Sequence, residues 1–227
     1  MSSQSPSMRA IEPPPSLKDL AFSAIKEAIL SHRFKPGEIY SEQAVGRELG
    51  ISKTPIHQAL LELENRRFVK VLPRRGFIVQ ALDEKDVRDL FEFRIGLEKT
   101  VLQHVMSQGI PQEVLADIAA GLDEAAGTRE ADQFVKLDLS FHRRLTAMTG
   151  NGFVIDSLET IWDLVDWVGT ERFHLKDGAK RALEEHRVIF NCLKDGDIAE
   201  ALTALEHHLK RTETECIAAI QSRKQRT

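Results

Sequence analysis

Apolar residues recur at helical spacing over most of this chain, and the period changes in only one short stretch. Leu17, Leu20, Ala21, Ala24, Ile25, Ala28 and Ile29 trace one helical face, with Ser16 placed to cap it. Pro36-Gly37 forces a turn after Phe34. A short helix follows, apolar at Ala44, Val45 and Leu49, and Gly50 breaks it. Ser52 is a natural N-cap for the next helix, and Pro55 is tolerable in its first turn. Ile56, Ala59, Leu60 and Leu63 share a face of that helix. Two β-prone runs come next, Phe68–Leu72 and Phe77–Val79, flanking the turn Pro73-Arg74-Arg75-Gly76 with its two cations.

From Leu82-Asp83-Glu84 onward every periodic segment is helical. The spacing predicts helices at about 83–107, 111–126, 130–149, 152–170, 179–195 and 197–222. Pro111, Gly127, Gly150-Asn151-Gly152, Gly178 and Gly196 punctuate them. The expected fold is mainly α. A winged helix-turn-helix with a small β wing occupies 17–80, and an all-α bundle of about six helices occupies 83–222. Residues 1–16, rich in Ser and Pro, read as a disordered tail.

Composition narrows the function classes. There is no run of 18 apolar residues to span a membrane and no apolar signal-peptide core at the N-terminus, so the chain reads as cytoplasmic. Cys192 and Cys216 both lie in helical stretches and read as reduced packing residues. Charge is unevenly spread. Residues 1–82 hold 12 Lys+Arg against 8 Asp+Glu, while residues 83–227 hold 19 against 27. A basic first part joined to an acidic second part suits a DNA-reading head on a separate body.

The bundle carries ionisable residues inside its apolar stripes. Asp138 and His142 share a stripe with Phe134, Phe141 and Leu145, and they stack at i and i+4. His186 falls on the stripe of Leu183, Ile189, Phe190 and Leu193, and His208 on that of Ile198, Ala201, Leu205 and Leu209. Burying these four groups costs several kcal/mol unless they find partners. One shared partner serves all four: an Asp and three His make a good ligand set for a divalent metal such as Zn, Ni, Mn or Fe. Arg94 and Glu98 form a further i, i+4 pair, which on spacing alone reads as an intrahelical salt bridge. A guanidinium beside such a metal favours a small carboxylate-bearing effector. His104, His174 and His32 read as ordinary surface or packing residues, and Trp162 and Trp167 as core filling.

Two resemblances sharpen this. The pattern SxTPxxxAL from Ser52 to Leu60, followed by an apolar strand and PRRGF-I-V, resembles the winged helix of GntR-family bacterial transcription regulators. It implies double-stranded operator DNA as partner, a homodimer, and most often repression. Ser52, Lys53, Thr54 and His57 then lie at the start of the recognition helix, facing bases or phosphates. Gln43, Arg47, Arg74 and Arg75 anchor phosphates, and Gly76 lets the wing approach the minor groove. The family usually has Arg where His57 stands, often Arg where Lys53 stands, and a basic or polar residue at Gln43.

The second set is DxxFHxxL…GN (Asp138 to Asn151), EHRxIxxxLxxGD (Glu185 to Asp197) and ALxxHL (Ala204 to Leu209). It resembles the FCD ligand-binding domain of the FadR-type branch. Carried over, the metal ligands are Asp138, His142, His186 and His208, with His207 competing for the last place, and Arg94 and Glu98 belong to the effector pocket. The expected function is a DNA-binding regulator modulated by a small organic acid at a metal site. A metal-dependent enzyme using the same Asp and His residues, or a direct metal sensor, are the alternatives.

Overall fold

The computed structural model describes residues 14–128, 131–169 and 178–226, and they fall into two compact units that divide between Ala81 and Leu82. His174 and the first thirteen residues of the tail lie outside the described residues.

The first unit opens with α1 (Leu17–Leu30). Ser16 and Asp19 close a capping box at its start, which satisfies two otherwise orphaned backbone N–H groups. The buried face is Ala21, Ile25, Ala28 and Ile29. Leu17 and Leu20, which the periodicity assigned to that face, are instead 54% and 51% exposed, because the first turn is left uncovered. α2 (Glu42–Leu49) and α3 (Lys53–Asn65) are joined by Gly50, whose φ of 69° lets its N–H cap the end of α2. Of the apolar positions expected on α2, only Val45 is buried; Ala44 and Leu49 are exposed. Ser52 occupies the N-cap position of α3, but its side chain makes no capping bond.

The wing pairs β2 (Val69–Leu72) with β3 (Gly76–Val79). A two-residue strand, β1 (Ile39–Tyr40), adds to the other edge of β3 in antiparallel register, giving the order β1-β3-β2. Two residues are too few for periodicity to register, so sequence reading missed this strand. It also explains Gly76. Its φ is 109°, and a Cβ there would collide with the Tyr40 carbonyl oxygen. The β1 contact by itself therefore demands a glycine here.

The second unit comprises α4 (Glu84–Gln108), α5 (Gln112–Gly127), α6 (Ala131–Ala147), α7 (Gly152–Gly169), α8 (Gly178–Asp195) and α9 (Ile198–Arg226). Asp83 and Asp86 form a capping box at α4, where carboxylates also favour the helix dipole. The core includes Val87, Phe91, Leu158, Trp162, Ile189 and Leu209, all essentially inaccessible to solvent. Full burial of each such side chain contributes about 1.5–3 kcal/mol. Cys192 and Cys216 are both buried. Among the described residues no helix is long and apolar enough to cross a membrane.

Candidate metal centre and nucleic-acid interface

Four helices of the bundle aim polar side chains at one buried point. α6 contributes Asp138 and His142, α8 contributes His186, α9 contributes His208, and α4 contributes Arg94 and Glu98. All six are buried. His186 Nε2 lies 3.2 Å from His142 Nε2 and 3.1 Å from His208 Nε2. Among the described residues, these three imidazoles form one set whose donor atoms lie within 4.8 Å of one another. Asp138 sits at its edge, with Oδ1 3.7 Å from His186 Nε2. His186 is held by stacking on Phe141, at 4.4 Å between ring centroids.

The outer nitrogens of two imidazoles are anchored. His142 Nδ1 meets Glu98 Oε2 at 2.6 Å, and His208 Nδ1 meets Glu185 Oε2 at 2.8 Å. Glu98 also accepts from Arg94 Nε at 2.7 Å and from Trp162 Nε1 at 3.0 Å. Glu185 accepts in turn from Arg211 Nε. Burial alone would raise the pKa of Glu98, but Arg94 and His142 outweigh it and hold the carboxyl well below its usual range. Burial pushes His186 down to about 3, against the opposing pull of Asp138. Burial, with His186 and His142 adding to it, holds His208 well below the usual histidine range.

A carboxylate accepts, so in the neutral rings of His142 and His208 the proton is drawn to Nδ1, which leaves Nε2 as the atom with a lone pair. Both lone pairs face His186 Nε2. That atom can offer a proton to one of them and not to both. Convergent neutral imidazoles with carboxylates behind them are the arrangement a bound divalent cation requires. Close by, Arg94 Nη2 and Thr146 Oγ1 are buried with no hydrogen-bond partner. A small enclosed pocket lined by Glu98, Val101, His142, Leu145, Thr146 and Leu205 lies beside the imidazoles.

In the first unit, Gln43 and Arg47 on α2, Ser52 before α3, Lys53 and Thr54 on α3, and Arg74 and Arg75 at the wing tip are exposed. His57 is partly exposed. A cleft between α3 and the wing is lined by Lys53, Thr54, His57 and Arg74, with Glu42 at its base. Arg74 adopts a left-handed φ of 62°, which tightens the wing turn.

Comparison with known proteins now decides the family. The FCD domain matches residues 89–211, and the domain of bacterial regulatory proteins of the gntR family matches residues 17–79. The chain belongs to the GntR family and carries an FCD domain. As a GntR regulator it is a DNA-binding transcription regulator. It is 29% identical over 178 residues to the uncharacterised HTH-type transcriptional regulator YdhC of Bacillus subtilis, covering 76% of this chain and 79% of the relative. It is 24% identical to the gluconate operon transcriptional repressor of Bacillus subtilis, covering 81% and 78%. Among solved structures, the Zn2+-bound FCD domain of TM0439 is 29% identical, covers 61% of this chain and 96% of its own, and superposes with a TM-score of 0.51.

Within this GntR chain, the residues that sequence reasoning missed lie behind the imidazoles. Glu185 and Arg211 are on no apolar stripe. Glu185 directly precedes His186, so it points about 100° away around α8. Only the packing of α9 brings His208 to it. Glu98, read as lining the effector pocket, is already engaged by three donors. It serves as the anchor of His142. Arg94 keeps one buried nitrogen, Nη2, outside that set of hydrogen bonds. His207 is mostly exposed, which leaves His208 as the inward imidazole of that pair.

Proposed function

We propose that this GntR protein is a repressor whose DNA affinity responds to a small organic acid bound beside a divalent metal in the FCD domain. The observation that carries the reading is the convergence of three imidazole nitrogens whose opposite edges are held by Glu98 and Glu185. His142, His186 and His208 would hold the ion, with Asp138 able to complete the set by a small side-chain adjustment. When bound, the metal supplies open coordination positions for carboxylate oxygens. Zn, Ni, Mn and Fe all suit this ligand set, and the zinc-bound state of the TM0439 domain favours zinc among them.

The chain's own residues give the site its selectivity. Arg94 presents its unengaged Nη2 to the acid while Nε stays tied to Glu98. Because Glu98 also holds His142, the acid-binding arginine and a metal ligand share one carboxylate. The cavity lined by Val101, Leu145 and Leu205 measures about 10 Å³, room for about one water, so an acid reaches the imidazoles only if these side chains move apart. The name of the gluconate operon repressor supports an acid in the broad sense. In the head, Gln43, Arg47, Ser52, Lys53, Thr54, His57, Arg74 and Arg75 form the DNA face, and a homodimer places two recognition helices along a near-palindromic operator in the cytoplasm. The acid acts by binding the DNA-competent and DNA-incompetent states unequally.

The test is a thermal-shift screen of untagged protein against small carboxylic acids, run metal-loaded and after chelation. Stabilisation by one acid that disappears on chelation is the expected result. Stabilisation that survives chelation would leave Arg94 as the anchor and remove the metal from effector binding. Metal that stabilises alone, with no acid adding to it, would make the protein a direct metal sensor.

A further inference from the structure

The first turn of α2 hides a carboxylate beneath the DNA face. Glu42 is only 7% exposed, although it belongs to a short surface helix. Its Oε1 lies 3.2 Å from His57 Nδ1, and its Oε2 lies 3.4 Å from Lys53 Nζ. His57 and Lys53 both stand on α3, one turn apart, and both border the cleft between that helix and the wing. The Nδ1 edge of His57 is anchored on Glu42, while the side chain as a whole is 45% exposed.

We propose that Glu42 is a specificity-determining residue, because it makes His57 present the lone pair of Nε2, and not an N–H, to a base edge. This rests on the reading of α3 as the recognition helix. A carboxylate accepts and cannot donate, so in the neutral ring the proton is drawn to Nδ1 and Nε2 is left as an acceptor. Lys53 offsets the negative charge of Glu42, which otherwise opposes the approach of phosphates. The consequence for sequence is direct. An arginine at this place on the helix reads guanine through O6 and N7. An imidazole acceptor instead reads an amino donor, cytosine N4 or adenine N6. The base pair opposite His57 therefore presents an amino group to it, and the guanine preference expected from an arginine is lost.

The experiment is selection of randomised duplex DNA by the full-length protein, followed by affinities for all four base pairs at each position of the half-site. Wild type, Glu42→Gln and His57→Arg are compared. Wild type is expected to prefer cytosine or adenine at one position per half-site. His57→Arg moves that position to guanine. Glu42→Gln keeps the side-chain shape, but its amide both donates and accepts and so admits either tautomer. It is expected to lower discrimination there by about tenfold, with other positions and the unfolding temperature unchanged. Wild-type preference at every position in Glu42→Gln, or a uniform loss across all positions, would overturn the role of Glu42. An unchanged profile in His57→Arg would take His57 off the bases. If wild type selects no sequence, the reading of α3 fails first.

Discussion

Glu98 accepts the Nδ1–H of His142 at 2.6 Å across 44 positions of sequence. The same carboxylate binds Arg94 on its own helix, so one buried group orients the proposed metal ligand and restrains the arginine proposed to meet the acid. Glu98→Gln keeps the volume but removes the charge that raises the basicity of His142. Metal affinity is expected to fall by about 10- to 100-fold, read by calorimetric titration. Wild-type affinity in that variant would reduce Glu98 to a packing role.

His186 stands between the other two imidazoles, within 3.2 Å of both Nε2 atoms. His186→Ala is expected to abolish stoichiometric metal binding, measured by elemental analysis after desalting. The head retains its own core and should keep its circular-dichroism signature and its affinity for non-specific DNA. Full metal occupancy in the variant would refute the ligand set.

Acid should weaken the metal-free bundle. His186 and His208 are held neutral in the folded state, with His186 at about 3. The unfolded chain takes up protons at these positions below about pH 6.5, while the folded chain does not. Stability from them is therefore complete above that pH and is lost as pH falls toward 3. Glu98, depressed when folded, acts in the same direction at lower pH. Denaturant titrations of chelated protein between about pH 7 and 5 should show a loss of up to about 1.4 kcal/mol per pH unit for each imidazole. A flat profile would mean that the folded protein protonates these rings as readily as the unfolded chain.

Arg75 is exposed at the wing tip beside Arg74. If it contacts a phosphate, Arg75→Ala should weaken operator binding and make the slope of log affinity against log salt shallower by about 0.9. An unchanged slope would remove Arg75 from the phosphate contacts.

Gly76→Ala tests the strand that the sequence hid. The added methyl meets the Tyr40 carbonyl, at a φ of 109° that alanine tolerates poorly. The head is expected to lose about 1–3 kcal/mol or to shed the β1 pairing, visible as a lower first unfolding transition. Unaltered head stability would show that β1 contributes little.

Much was legible because the signals are local. Helical periodicity located all six bundle helices, and the i, i+4 spacing of Asp138 and His142 put both on the inner face of α6. Inward histidines on α8 and α9 followed from the same stripes, and both are buried at the site. The misses also have local causes. Leu17 and Leu20 carry the right spacing, yet both stay exposed. β1 is too short to have a period.

The sequence by itself determined which residues lie on which face of each element, because side-chain direction follows from 3.6- and 2-residue repeats. That was enough for a mainly helical chain with a winged head, for the family, and for the inward Asp and His residues. Tertiary structure alone decided how those faces meet. It brought Glu98 of α4 to His142 of α6, Glu185 of α8 to His208 of α9, and Glu42 of α2 to His57 of α3. Each pair joins residues on different helices. No repeat within one helix records the distance to another, so these carboxylates became visible only once the helices were packed.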